Sequence, residues 1–251
     1  MELFILIIKM SKLTSIIFTA YDNNQAMRLI TQAALQNIIK YTDEEDYELI
    51  FVDTIPLNTP ASVYINPHYL NEFLFFNKRK DRKWVKRYCS KIPDPGQYAC
   101  YNIGAKKAKG DYLCFFQNDV FVWEGWLRNM RWYLENGYDA VFPDQQYKTR
   151  EFVKASYDFP FESEDARTGA RDAGILYIKR EAFDQIGGWN EDIKIHFGER
   201  DIYEKINGLK WTVTCKTMVT HLEHAAGWTK LELEPQKYNS DVTESVKVKN
   251  G

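Results

Sequence analysis

Residues 112–127 read YLCFFQNDVFVWEGWL, two apolar runs separated by Gln117-Asn118-Asp119. Two amides and a carboxylate where a buried run ends can serve either of two purposes. Asn and Asp form turns by hydrogen-bonding their own backbone. A carboxylate is also the natural ligand of a hard divalent cation. The other residues suited to chemistry are scattered. Tyr21 and Asp22 close the run LTSIIFTAY, and Asp53 lies at the end of YELIFVDT. Glu199-Arg200-Asp201 opens the segment FGERDIYEKINGL, and His221 and His224 follow in THLEHAAGW. A carboxylate in the first turn of a helix can accept a proton from a reacting hydroxyl, or it can merely complement the helix dipole.

The elements that must position these residues are legible from periodicity. LTSIIFTAY (13–21) is short, apolar and β-branched, which predicts a buried strand. Residues 22–40 carry apolar side chains at helical spacing, with Asp22 or Asn23 as a cap, and YELIFVDT (47–54) is a second strand. The chain therefore opens β-α-β, the unit of parallel sheets. Prolines at 56, 60 and 67 interrupt the next stretch, with a helix expected at 68–77. After the turn signal Pro93-Asp94-Pro95-Gly96, a helix is expected over 98–109 and a strand over 111–119. A helix over 126–136, a strand over 139–144 and a loop region over 145–170 come next. Then follow a strand over 174–180, a short helix to Gly188, a helix over 197–209, and one or two strands within 209–224. There is no internal repeat or linker. One α/β domain over 1–230 and a polar tail over 231–251 is the expected organisation.

The 251 residues are 45% hydrophobic, enough for a sizeable core. Lysine and arginine (33) nearly balance aspartate and glutamate (35), so the chain lacks the basic surplus of a nucleic-acid binder. One basic stretch, 78–87, reads either as a solvated helix face or as a patch toward phosphates, an acidic glycan or a membrane surface. Cys89, Cys100, Cys114 and Cys215 form no C-x-x-C pair and fit buried free thiols in a reducing compartment. The apolar start MELFILIIKM is too short to span a bilayer. A soluble cytoplasmic protein, at most resting on a membrane surface, is the expectation.

The order of motifs resembles the family 2 glycosyltransferases, over roughly residues 13 to 228. The resemblance rests on four stretches: TSIIFTAYDNNQAMRLITQAAL, YELIFVDT, YNIGAKKAKGDYLCFFQNDVFVWEGWL and DAGILYIKREAFDQIGGWNEDIKIHFGERDIYEKINGLKW. It implies a GT-A fold, a mixed Rossmann-like sheet flanked by helices. It implies inverting transfer of a sugar from a UDP, GDP or dTDP sugar to an acceptor hydroxyl on a glycan, lipid-linked carrier or protein. Mn²⁺ or Mg²⁺ would stabilise the departing diphosphate.

By the same resemblance, Asp119 takes the metal-binding position of an Asp-x-Asp motif, and Gln117 replaces its first carboxylate and could bond the ribose. Asn118 between them falls in the donor site. Tyr21, Asp22 and Asp53 would surround the base and ribose. Asn102 and Gly104 belong to a helix beneath the donor, where Gly104 permits close packing. Asp172 would hold a donor-sugar hydroxyl, and Trp189 would offer a ring to the apolar face of the acceptor. Glu199 is the favoured base with Asp201 beside it, although the spacing to Gly208 leaves the two interchangeable. His221, or else His224, would be a further metal ligand; imidazole suits Mn²⁺ better than Mg²⁺. Two other readings stand beside this one: a nucleotidyltransferase, and a sugar- or nucleotide-binding GT-A-like protein without turnover. A Rossmann dehydrogenase is disfavoured, because no G-x-G-x-x-G follows either early strand.

Overall fold

The structure is a computed structural model, and it describes residues 12–21, 25–42, 47–54, 85–90, 95–147, 174–193 and 198–222. Its strands are β1 (Thr14–Tyr21), β2 (Tyr47–Thr54), β3 (Val85–Ser90), β4 (Tyr112–Phe116), β5 (Val120–Phe121), β6 (Ala140–Tyr147), β7 (Ile175–Lys179) and β8 (Trp211–His221). Its helices are α1 (Gln25–Tyr41), α2 (Gln97–Lys107), α3 (Trp126–Glu135), α4 (Arg180–Gln185) and α5 (Gly198–Ile206). The strands form one mixed sheet in the order β3-β2-β1-β4-β7-β6-β8-β5. β3, β2, β1 and β4 run parallel, β7 is antiparallel to both β4 and β6, and β8 runs parallel to β6.

Alternation along each strand builds two cores. Ile16, Phe18, Cys114 and Phe116 face α1 and α3, where they meet Leu35, Ile38, Trp126 and Met130. Ile17, Leu113 and Phe115 face the other way, onto Tyr98 and Tyr101 of α2, Phe183 of α4 and Ile202 of α5. A sheet covered on both faces needs strands apolar throughout, and every residue of β4 is buried. Cys100 and Cys114 are buried free thiols, as expected, and burial pushes the Cys114 thiol well up, which keeps it protonated and unreactive.

Most expected elements appear within a few residues of their places. The strand expected over 111–119 ends at Phe116, and β6 runs on to Tyr147, into the expected loop region. The basic stretch needs correction: Val85, Lys86 and Arg87 belong to β3, paired in parallel with Leu49, Ile50 and Phe51, so this part is a strand and not a helix face. Among the described residues β3 pairs with β2 alone, and lysine and arginine are common on such an edge strand. The helix expected at 68–77 and the tail at 231–251 lie outside the described residues.

Gly104 lets α2 lie close on β1, for a Cβ there would come within 2.3 Å of Ile17 Cγ2. Gly110 is the less forgiving of the two, because what a side chain would meet there is backbone. It links α2 to β4, and a Cβ would meet the Leu13 carbonyl oxygen at 2.6 Å and the Ser15 nitrogen at 2.7 Å. Its own N–H donates to Ser15 Oγ at 2.8 Å, and Ser15 in turn donates to Glu48 Oε1 at 2.8 Å. Backbone atoms of a central strand cannot step aside. Gly110→Ala is therefore expected to cost about 1–3 kcal/mol. Thermal unfolding should register it as a fall in Tm of roughly 2–4 °C for each kcal/mol lost.

Candidate active site

Topology gathers the expected site residues at one edge of the sheet. β1, β2 and β4 all end there, so Tyr21, Asp53 and the Gln117-Asn118-Asp119 turn share it. Ala20 pairs with Asp53, and Tyr21 with Thr54. The antiparallel β7 starts at the same edge: Gln117 N–H donates to the Gly174 carbonyl at 3.0 Å, which brings the segment after Asp172 to this place. Ligands collect at such carboxyl ends because helix N-termini and strand ends converge there. Of Tyr21, Asp53 and Glu199 only the backbone is described; Asp22, Asp172 and His224 lie outside the described residues.

The two-residue strand β5 fixes Asp119. Val120 pairs with His221 and Phe121 with Thr220, and Leu222 N–H donates to the Asp119 carbonyl at 2.9 Å. This ladder sets Asp119 Oδ1 3.3 Å from His221 Nε2, with both residues buried. β8 reaches this position by a register break against β6. Pro143 pairs with Thr214 but Asp144 with Met218, so β8 carries extra residues there. Pro143 has no N–H to give the ladder, which makes it a natural place for the break. Beyond it His221 pairs with Tyr147, at the end of β6.

An anionic oxygen and an imidazole nitrogen at this separation suit a shared cation. Two ligands about 2.1 Å from one ion at right angles lie about 3 Å apart. The donor set is one hard carboxylate and one borderline nitrogen, which favours Mn²⁺ over Mg²⁺. Among the described residues no third His, Cys, Asp or Glu joins them. If His221 is a ligand, His221→Ala should weaken Mn²⁺ binding by roughly ten- to hundred-fold. Titration with Mn²⁺ measures this, and unchanged affinity would remove His221 from the metal site.

The structure gives several expected site residues a different occupation. Trp189 is 2% exposed, stacked on Tyr98 with ring centroids 5.2 Å apart and packed edge-on against Phe115. It is a core residue on the α2 face and has no ring surface to offer an acceptor. Asn102 uses both ends of its amide on the Trp189 backbone: Nδ2 donates to the carbonyl at 2.9 Å and Oδ1 accepts the N–H at 3.1 Å. It pins the Gly187-Gly188-Trp189 turn to α2. Asn118 Nδ2 donates to Thr31 Oγ1 at 2.9 Å, tying the turn before Asp119 to α1.

Sequence reasoning passed over two supports of the site. Asn37 grips the Val122 backbone at both ends, donating to its carbonyl at 3.1 Å and accepting its N–H at 2.7 Å. Thr31, buried, receives Asn118. Both are polar residues on the side of α1 that carries Ala34, Leu35 and Ile38, a signal that was available in the periodicity.

α5 must begin at this same edge. β8 runs parallel to β6, so it starts at the opposite edge, where Asp139 N–H donates to the Lys210 carbonyl at 2.6 Å. The helix that feeds β8 therefore descends from the site, with Glu199 and Asp201 in its upper turns. Asp201 Oδ2 lies 2.9 Å from Lys205 Nζ, one turn further on.

A mixed sheet of this order, with an acidic turn after its fourth strand, defines a GT-A glycosyltransferase fold. The chain belongs to glycosyl transferase family 2, whose model matches residues 15–190. Among solved structures it is similar to residues 1–349 of S. aureus TarS, with TM-score 0.60 and 12% identity over 84% of this chain and 60% of that one. It is also similar to GalNAc-T7 in complex with UDP, GalNAc and Mn²⁺, with TM-score 0.59 and 18% identity over 85% of this chain and 44% of that one. The chain thus spans less than two thirds of either protein, and at these identities the likeness speaks to fold. No curated protein matches the chain in sequence.

Proposed function

We propose that the protein is an inverting, metal-dependent glycosyltransferase acting on a nucleoside-diphosphate sugar. The observation that carries this is the Asp119–His221 pair, buried at the carboxyl edge of the sheet and held by the β5–β8 ladder. Asp119 and His221 would hold the cation, whose chemistry is to neutralise charge on the departing diphosphate. Tyr21, Asp22 and Asp53 would receive the nucleoside, Gln117 the ribose and Asp172 the sugar. Glu199 would take the proton of the acceptor hydroxyl as its oxygen bonds the anomeric carbon. The bond from that carbon to the diphosphate oxygen then breaks on the opposite side, and the diphosphate keeps the electron pair, which inverts the centre.

The GalNAc-T7 structure, with UDP and Mn²⁺ on a similar fold, supports a metal-assisted reading. The buried thiols of Cys100 and Cys114 suit a reducing, cytoplasmic setting. No helix among the described residues is long and apolar enough to cross a membrane. The acceptor is a glycan, lipid-linked carrier or protein hydroxyl.

A thermal-shift series with UDP, GDP and dTDP, each with and without Mn²⁺, tests the donor. A ligand selective for the folded state adds RT ln(1 + [L]/Kd) to its stability, about 2.7 kcal/mol at a hundredfold excess over Kd, and so raises Tm. One nucleotide should stabilise the protein, and more so with Mn²⁺. No stabilisation by any of them would refute the donor assignment. Stabilisation without slow donor hydrolysis would favour a binding protein over an enzyme.

A further inference from the structure

We infer that Lys205 is a positioning residue for the catalytic helix, acting through Asp201 and the Gly188 carbonyl; this rests on the transferase reading above. The Lys205 ammonium makes two contacts at once. Its Nζ lies 2.9 Å from Asp201 Oδ2 and 2.9 Å from the carbonyl oxygen of Gly188. The first contact is within α5, one turn back toward Glu199. The second leaves the helix for the turn that Asn102 clamps from α2. Gly188 and Trp189 are thus gripped from two sides, by an amide on α2 and an ammonium on α5.

That turn can serve as an anchor because Asn102 clamps it and Trp189 is buried in the core. Gly187 and Gly188 have φ of 75° and 73°, a left-handed conformation that a side chain would strain. A Cβ at Gly188 would also meet Asn102 Oδ1 at 3.0 Å. Trp189 is packed among Tyr98, Tyr101 and Phe115. The Lys205 and Asp201 side chains are 29% and 24% exposed, so water competes only partly for their charges. By contrast the Arg200–Glu204 pair on the same helix is 81% and 66% exposed and, among the described residues, ties α5 to no other element.

The consequence is a fixed height and rotation of the α5 first turn relative to the helix beneath the donor. Asp201 is engaged in holding the helix, which leaves Glu199 as the carboxylate for proton transfer. Placement of that kind matters, because a shift of about 1 Å at a reacting group can cost up to roughly hundred-fold in rate. A side chain that merely stabilised the fold would lower Tm and leave the balance of kcat against KM alone.

The test compares K205M, K205R, D201N and K205M/D201N on the full chain. K205M should lower kcat for transfer roughly ten- to hundred-fold, with donor KM and the nucleotide-induced Tm shift within about twofold of wild type. K205R keeps charge and donors and should restore most of the rate. The double variant should be no slower than the slower single variant, since the two residues act as one unit. A wild-type kcat in K205M, or additive losses in the double variant, overturns the inference. If the wild type turns over no donor, the transferase reading fails, and the tether is read from amide hydrogen exchange instead. Faster exchange confined to residues 198–204 in K205M supports it, and unchanged exchange there refutes it.

Discussion

Asp119→Ala is expected to abolish transfer and to erase the Mn²⁺-dependent part of nucleoside-diphosphate binding, while the protein still folds. The loss should be complete because Gln117 and Asn118 carry no charge, so Asp119 is the one carboxylate in its turn. Its partner His221, 3.3 Å away, offers a single nitrogen donor and could not hold a divalent cation by itself. The fold should persist because the turn is held by main chain and by neighbours. The Asp119 carbonyl accepts Leu222 N–H, Asn118 is tied to Thr31, and Asn37 holds Val122, none of which needs the carboxylate. The measurement pairs a transfer assay with thermal shift in UDP, GDP or dTDP, with and without Mn²⁺. Full activity of this variant, or of the wild type in excess chelator, would end the metal hypothesis.

Glu199→Gln should slow transfer by roughly a hundred- to ten-thousand-fold, the range for a lost general base. Glutamine keeps the shape and the hydrogen-bonding capacity but cannot accept a proton at neutral pH. Donor binding should barely change, because the nucleotide would rest on strand ends and not on α5. Asp201→Asn is the companion variant. Asp201 faces Lys205 at 2.9 Å, so it is expected to lose less than Glu199→Gln. The reverse order would move the base two residues along α5 and leave the mechanism in place. If neither variant slows transfer while donor still binds, α5 carries no base and the inverting mechanism is wrong.

The layers and most of the strands are legible in the chain's hydrophobic pattern. The apolar runs at 14–21, 47–54 and 112–116 are too continuous for a half-exposed sheet, and the amphipathic segments between them supply the covering helices. The sequence also marked which residues could bear chemistry, because a carboxylate after a buried run is conspicuous in any one-dimensional reading. The family followed from motif order, and the chain matches that family over residues 15–190.

Which of those polar residues remain available depends on the packing of the folded chain. A side chain's job depends on what faces it, and long-range partners leave no local periodicity. Asn102 and Asn118 looked like donor contacts, yet each amide reaches another part of the protein, the Trp189 backbone and Thr31. Trp189 looked like an exposed platform, but the left-handed turn at Gly187 and Gly188 delivers it into the aromatic core on the α2 face. Lys205 belongs to no motif in the sequence, and its contact with the Gly188 carbonyl exists only because α5 packs against that turn. The approach of His221 to Asp119 depends on the short β5 ladder and on a register break at Pro143. Neither is a propensity of any local segment. Both arise only when β8 has found β6 on one side and β5 on the other, which is why the sequence could nominate the pair but not bring it together.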